Sequence, residues 1–329
     1  MSLGVAQYAV ASDTGRKRRR NEDNYVVEPP LFGVADGMGG AQAGEVASKL
    51  AASALEDGSD GALHGQDRVG ALIQEANRRV YERATSDPAA SGMGTTMTVA
   101  LVEGGIVTIG HVGDSRAYLV RDGRMEQLTD DHSLVNELVK SGKLTAEEAE
   151  AHPQRSVITR AVGTDPDVDV DAFTVDAQDG DVFLICSDGL TDMVEDEDIL
   201  EVLDRNRSDL DRAVKSLVAA ANRGGGEDNI TAVAFRIAEV ADDLDATVEL
   251  RRDEPDEETK EQIAPEPPVD TMVIPPERIE AELIEPGSPE ARALARRKPM
   301  GNAGRVRLAL TMLVLLAIAV VLLVWGLLR

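Results

Sequence analysis

Leu31-Phe32-Gly33-Val34-Ala35-Asp36-Gly37-Met38-Gly39-Gly40 is the stretch that decides the fold. An apolar run of this length reads as a buried strand. It ends on a carboxylate, which is costly at the end of a buried strand unless a cation neutralises it. Asp-Gly is also the commonest two-residue hairpin signal, so the flanks must decide. After the glycines comes an Ala-rich stretch, Glu45 to Leu55, of helical composition. Strand, turn and helix in that order do not make a hairpin.

The same ending recurs along the chain. It appears in Ile109-Gly110-His111-Val112-Gly113-Asp114, in Val182-Phe183-Leu184-Ile185-Cys186-Ser187-Asp188-Gly189 and in Gly226-Glu227-Asp228-Asn229-Ile230. A further acidic cluster, Asn21-Glu22-Asp23-Asn24, lies near the start. Asp188-Gly189 also leads into helical spacing, with Ile199-Leu200 and Val202-Leu203. By contrast, Arg121-Asp122-Gly123-Arg124 sits between Ala117–Val120 and Met125–Leu128 and reads as a plain hairpin. Several carboxylates meeting at one end of a sheet make an oxygen-rich site for hard divalent metals.

Working outward, strand-like runs are expected at Val5–Ala11, Thr95–Val102, Ile106–His111, Arg116–Val120, Ala172–Val175, Asp181–Cys186 and Ile230–Ile237. Helices are expected at Gly44–Leu55, Arg68–Ala84, Leu134–Ala151 with a break at Ser141-Gly142, Ile199–Leu203 and Leu210–Arg223. Strands and helices in separate blocks predict an α+β layered domain rather than regular βαβ alternation. The folded domain is expected over residues 1–238, with its first strand opening near residue 4.

Residues 239–305 change character. Asp, Glu and Pro dominate, as in Asp253-Glu254-Pro255-Asp256-Glu257-Glu258 and Pro265-Glu266-Pro267-Pro268. Such a segment buries too little apolar surface to order itself and reads as a disordered tether. A flexible chain of roughly 65 residues has an r.m.s. span of about 45 Å. Thr247, Thr259 and Thr271 in it are accessible to a kinase. Leu308 to Leu328 carries no charge and is long enough to span a bilayer, so residues 306–328 are expected to be a transmembrane helix. Trp325 near its end suits the interface. Arg292, Arg296, Arg297, Lys298, Arg305 and Arg307 precede the span and only Arg329 follows it. That bias predicts a single-pass protein of the cell (plasma) membrane with its folded domain in the cytoplasm. The N-terminus does not read as a signal peptide, because its basic residues follow the apolar stretch.

The formal net charge of -26 repels phosphate backbones and argues against nucleic acid as a partner. The one cysteine, Cys186, lies in an apolar run and reads as a buried small hydrophobe. His64, His111, His132 and His152 have no metal-ligand spacing, so a bound metal would be held by oxygen. If Asp23, Asp36, Asp188 and Asp228 converge, they cannot all stay ionised without cations. Two divalent ions would satisfy them and activate one bridging water as a nucleophile. An anionic substrate would then need a guanidinium, and Arg16-Lys17-Arg18-Arg19-Arg20 offers candidates.

Seven motifs in order carry a family resemblance. They are Ser12 to Asp23 (S-D-x-G-x-x-R-x-x-N-E-D), Ala35 to Gly40 (A-D-G-M-G-G), Gly94 to Thr96 (G-T-T) and Val112 to Arg116 (V-G-D-S-R). Thr129 to Ser133 (T-x-D-H-S), Ser187 to Asp192 (S-D-G-L-x-D) and Glu227 to Thr231 (E-D-N-I-T) complete the set. The pattern resembles the bacterial metal-dependent PPM, or type 2C, Ser/Thr protein phosphatases. The resemblance implies an α/β/β/α sandwich of two antiparallel sheets flanked by helices, with two Mn²⁺ or Mg²⁺ ions at one end and a third in some members. It implies that Asp36 bridges both metals and that Asp23, the Gly37 carbonyl, Asp188 and Asp228 are ligands. Glu22 would act through a water, Arg18 would bind the phosphoryl group, and Asp114, Asp188 and Asp192 would hold the third ion. Residues from about Leu134 to Arg160 would form a flap beside the site. Met38 stands where animal members carry a histidine that serves as the presumed acid, and a thioether cannot donate a proton. The implied function is hydrolysis of phosphoserine and phosphothreonine in proteins by a monomer, opposing a membrane Ser/Thr kinase in cell-wall or division control. A two-metal phosphodiesterase and a catalytically weak phosphoprotein-binding scaffold are the alternatives.

Overall fold

The computed structural model describes residues 2–39, 43–58, 63–240 and 272–273. Met1–Arg278 forms one compact unit, and the second unit, Ile279–Arg329, lies outside the described residues. Most described strands of the first unit make two antiparallel sheets, and two short strands, β9 (Val157–Ile158) and β13 (Met272–Val273), form a separate parallel pair. One sheet has the order β1 (Ser2–Asp13), β12 (Ile230–Val240), β11 (Val182–Cys186), β7 (Arg116–Arg121), β8 (Arg124–Gln127). The other runs β10 (Asp171–Asp176), β6 (Ile106–Val112), β5 (Met97–Glu103), β3 (Leu31–Met38), β2 (Asp23–Glu28), with β4 (Gly94–Thr95) beside β3.

Why these runs become central strands is plain from β11. Its side chains alternate between two cores: Phe183 and Ile185 face the other sheet, while Val182, Leu184 and Cys186 face helices. A strand covered on both faces needs an unbroken apolar run, because successive side chains point to opposite sides. Between the sheets Phe235 stacks on Phe32 with ring centroids 4.4 Å apart and on Phe183 at 5.1 Å. Helices α1 (Ala43–Asp57) and α2 (Gly65–Ser86) cover the second sheet. Helices α5 (Asp188–Thr191), α6 (Asp196–Arg205) and α7 (Leu210–Gly224) cover the first. The close seat of α2 depends on Gly110, where a Cβ would come within 2.2 Å of Val69. The result is the expected sandwich of two antiparallel sheets with flanking helices.

Most local expectations are met, several with longer ends, but the expected strand Thr95–Val102 is two pieces, β4 and β5, that part at Thr96, and the expected strand Asp181–Cys186 begins at Val182. The Arg121–Arg124 hairpin joins β7 to β8, with Asp122 and Gly123 both at positive φ (51° and 71°), as a tight primed turn needs. The expected helix Leu134–Ala151 is two pieces, α3 (Leu134–Lys140) and α4 (Ala146–Glu150), broken at Gly142 (φ 70°). Thr145 and Glu148 form a capping box that restarts it. Three strands escaped the sequence reading: β2, β9 (Val157–Ile158) and β13 (Met272–Val273). Strand β2 carries Asp23, Asn24 and Glu28, so its alternation is weak; its partner β3 makes it a strand.

Cys186 is fully buried, and burial pushes its thiol up to about 12, which fits the hydrophobe reading. Among the described residues no helix is long and apolar enough to cross a membrane. Apart from Val240, the tether residues 239–305 are described only at Glu239 and at Met272–Val273. The expected span 306–328 and the threonines at 247, 259 and 271 lie outside the described residues.

Candidate metal centre

Antiparallel pairing brings alternate strand ends to the same side of the sandwich. Asp36 ends β3, Asp114 follows β6, Asp188 follows β11, and Asp23 and Asp228 lie at the starts of β2 and β12. Asp23 is the direct register partner of Asp36. Asp23 is buried, while Asp36, Asp114, Asp188 and Asp228 are partly open to a shared cleft.

The cleft is dense in negative charge. Burial, then repulsion by Asp23, Asp188, Asp228 and Asp114, holds the Asp36 carboxyl well above the usual carboxylate range. Asp188 is likewise held well above it, by burial and then by Asp114, Asp228, Asp192 and Asp23. Burial is the main cause that lifts Asp23 to about 6 and Asp114 to about 7. Glu22 is raised by burial, against the pull of Arg18. Asp192 lies at the rim with its side chain 42 % exposed, 3.8 Å from Arg155. It too is raised, mainly by burial.

A frame of hydrogen bonds fixes these groups. The Asp36 N–H donates to Thr96 Oγ1 at 2.9 Å, and its carbonyl accepts from Thr96 N–H and Thr95 Oγ1, both at 2.8 Å. Asp23 Oδ2 accepts from Ser187 Oγ at 2.9 Å and Thr231 Oγ1 at 2.6 Å. Asn229 ties down the loop that precedes Asp23. Its Oδ1 accepts from Glu22 N–H at 2.7 Å, and its Nδ2 donates to the carbonyls of Thr14 and Arg20 at 2.9 and 2.8 Å. Gly37 and Gly44 let β3 and α1 touch at the site. A Cβ on Gly44 would fall 2.7 Å from the Gly37 carbonyl oxygen and 2.8 Å from Glu22 Oε2.

Of the basic run Arg16–Arg20, Arg18 alone is turned inward. Its Nη2 donates to Asp228 Oδ2 at 2.8 Å. Burial weakens its charge, but Asp228, Asp36 and Glu22 outweigh that and raise its pKa.

Every residue singled out from the sequence is therefore at this end of the sandwich: Arg18, Glu22, Asp23, Asp36, Gly37, Asp114, Asp188, Asp192 and Asp228. Among the described residues, no three His, Cys, Asp or Glu side chains form a finished metal cage. Asp23 Oδ2 is turned to two hydroxyls and Asp228 Oδ2 to Arg18. The donor set nevertheless fits hard divalent cations. Asp23 Oδ1 and Asp188 Oδ1 are buried with no hydrogen-bond partner. A buried carboxylate oxygen left without a donor calls for a cation. The sequence reading did not single out Asn229, Thr96, Ser187, Thr231 or Ser48, whose Oγ donates to the Glu22 carbonyl. The signal for Asn229, Thr231, Thr96 and Ser187 was their place inside the E-D-N-I-T, G-T-T and S-D-G motifs, whereas Ser48 lies in none of these motifs.

A sandwich of two antiparallel sheets with an all-oxygen carboxylate cleft at one end defines a class of protein suited to holding hard divalent cations. Residues 18–226 match the family model described as protein phosphatase 2C. The chain is 42% identical over 240 residues to the serine/threonine protein phosphatase PstP of Mycobacterium tuberculosis, a match that covers 72% of this chain and 46% of that protein. The chain thus spans less than half the length of that curated relative. It is 42% identical over 231 residues to the serine/threonine phosphatase stp of Listeria innocua, covering 67% of this chain and 91% of that protein. The solved catalytic domain of a PstP in complex with two manganese ions superposes with TM-score 0.66 at 38% identity, over 72% of this chain and all of that one. The chain belongs to the protein phosphatase 2C family.

Proposed function

We propose that this chain hydrolyses phosphoserine and phosphothreonine in proteins, with Mn²⁺ or Mg²⁺ held in the carboxylate cleft. The observation that carries the reading is the convergence of Asp23, Asp36, Asp188 and Asp228, with two orphaned buried carboxylate oxygens, beside an inward-turned Arg18. Asp36, Asp23, the Gly37 carbonyl, Asp188 and Asp228 would hold the two ions, with Glu22 acting through water. Asp114 and Asp192 would hold a third ion with Asp188. Such cations neutralise the cluster, polarise a phosphoryl oxygen and acidify water for attack on phosphorus.

The chain's own side chains do the rest. Arg18 is held across the cleft by Asp228 and presents its planar fork to an anionic substrate, as guanidinium groups do for phosphoryl oxygens. Met38 is buried beside Gly37 and supplies no proton. Protonation of the leaving alkoxide therefore falls to water or to another group at the rim. The negative charge of the domain disfavours nucleic-acid phosphodiesters, and the complete carboxylate set speaks against a dead scaffold.

The test is hydrolysis of a phosphothreonine peptide by the full chain, dependent on Mn²⁺ or Mg²⁺. Full activity in excess chelator would sink the mechanism. Within it, Arg18→Ala is expected to raise KM for the phosphopeptide and lower kcat/KM by about 10- to 100-fold, the value of one charge-assisted bidentate contact. Kinetics that match the wild type would hand phosphate binding to another residue.

Residues 1–238 serve in this reading as the catalytic domain, 239–305 as the tether and 306–328 as a single membrane span. The support is the uncharged run Leu308–Leu328 and the cations before it. A membrane Ser/Thr kinase is the fitting partner, and the enzyme works as a monomer on the cytoplasmic side. Protease added outside intact cells is expected to leave the catalytic domain uncut, and the full chain is expected to sediment with membranes. Cleavage of the domain from outside would reverse the topology.

A further inference from the structure

Strand β9, in the flap, has two edges. On one, an antiparallel bridge joins Ile158 to Ser133, and the Thr159 N–H donates to the His132 carbonyl at 2.8 Å. Backbone groups alternate sides along a strand, so the Ile158 N–H and C=O face the opposite edge. That edge is taken by β13, which runs parallel to β9 with Met272 opposite Val157 and Val273 opposite Ile158. Residues 241–271 lie between β12 and this segment.

The local sequence suits such a role. Met272-Val273-Ile274 is a run of apolar residues inside an acidic, Pro-rich stretch. Pro267-Pro268 precede it and Pro275-Pro276 follow it. Proline cannot donate to a ladder, so a strand here stays short. It is long enough to occupy an edge and too short to seed a wider sheet.

The β9 edge adjoins the cleft. Ile158 is 1% exposed and packs on Met38 and Ala161. Met38 directly follows Asp36-Gly37. Arg155, just before β9, lies 3.8 Å from Asp192 at the cleft rim. Just after β9, Val162 bridges Thr95, whose hydroxyl donates to the Asp36 carbonyl. Whatever pairs with β9 thus lies on the element that walls one side of the site.

We propose that Met272–Val273 is an intramolecular strap that closes the β9 edge and competes there with the backbone of an extended phosphoprotein substrate. The inference rests on the phosphatase reading for the chemistry of that substrate. Extended peptides bind exposed sheet edges by adding a strand, through main-chain hydrogen bonds. A strap on the same chain competes at an effective concentration of about millimolar, so even weak pairing occupies the edge much of the time. The strap opposes peptide binding and leaves the bond-breaking step alone, because its pairing is with the backbone of the flap.

The test compares the full chain in detergent micelles with its Met272→Pro/Val273→Pro variant, which removes the Met272 ladder donor and places a second proline ring in the strap, outside the sandwich core. Amide exchange at Ile158 is expected to speed up by about tenfold when the strap is lost. KM for a phosphothreonine peptide is expected to fall by about threefold or more with kcat unchanged, as for removal of a tethered competitor. KM for p-nitrophenyl phosphate, which has no backbone to pair, stays constant. Thr259→Pro, placed elsewhere in the tether, leaves all three readouts at wild type. Unchanged exchange at Ile158 would overturn the strap. Faster exchange with an unchanged peptide KM would overturn the competition. Failure to hydrolyse either substrate would instead reject the phosphatase reading, and the Ile158 exchange would still decide whether the strap is bound.

Discussion

Asp36→Asn is expected to lower turnover of a phosphothreonine peptide by about 10³-fold or more, because it would remove the central charge of the proposed two-cation site. The replacement keeps the shape of the side chain and the backbone frame around it. The Asp36 N–H still donates to Thr96 Oγ1, and its carbonyl still accepts from Thr95 and Thr96. Only the charge goes, and Asp36 is the carboxylate that feels Asp23, Asp188, Asp228 and Asp114 together. In chelator the variant is expected to melt no lower than the wild type, since one buried like charge has been deleted. Steady-state kinetics with saturating Mn²⁺, read beside thermal melts, separate the two effects. Turnover within tenfold of the wild type would remove Asp36 from the centre.

Metal removal is expected to cost stability as well as activity, and to cost more at higher pH. In the stripped protein the folded-state pKa of Asp23 is raised to about 6 and that of Asp114 to about 7, mainly by burial. A carboxyl whose folded pKa is raised binds more protons folded than unfolded. Its contribution is therefore present below the unfolded value, near 4, and is lost as pH rises through the folded value. The stripped protein should lose stability between about pH 4 and pH 7. Cations supply the missing countercharge, so Mn²⁺ is expected to raise Tm by about 10 °C at pH 7.5 and by much less at pH 5. Melting curves with chelator and with Mn²⁺ at the two pH values provide the check. An equal shift at both would mean that the ions do not bind among these carboxylates.

The two outcomes bear on how far the chain could be read without its fold. Strands β3 and β11 were legible because both faces are buried, and burial on both faces demands an unbroken apolar run. The helices after Asp36 and Asp188 were legible from composition and spacing. Strand β2 was not, since it lies at the edge of its sheet and carries polar residues that mask alternation. Strands β9 and β13 were not, because a pair of residues has no periodicity to detect; only the partner makes each one a strand.

The sequence alone determined the kinds of groups at the site and their order along the chain: four aspartates beside apolar runs, a fifth in an acidic cluster with Glu22, a run of five basic residues and no usable thiol. It also determined the layered α+β class, through strands and helices segregated in blocks. What only the tertiary structure decided was which groups meet. Arg18 is chosen from its four basic neighbours because it alone turns inward to Asp228, across 210 positions of chain. Asp23 faces Asp36 because β2 pairs with β3 in that register, and a slip by one residue would turn it to the other side. Asn229 becomes the clamp on the Thr14–Glu22 loop only once β12 lies beside β1. Side-chain type is a local property of the chain. Convergence is long-range, fixed by strand register and by the packing of two sheets, and no local pattern encodes it.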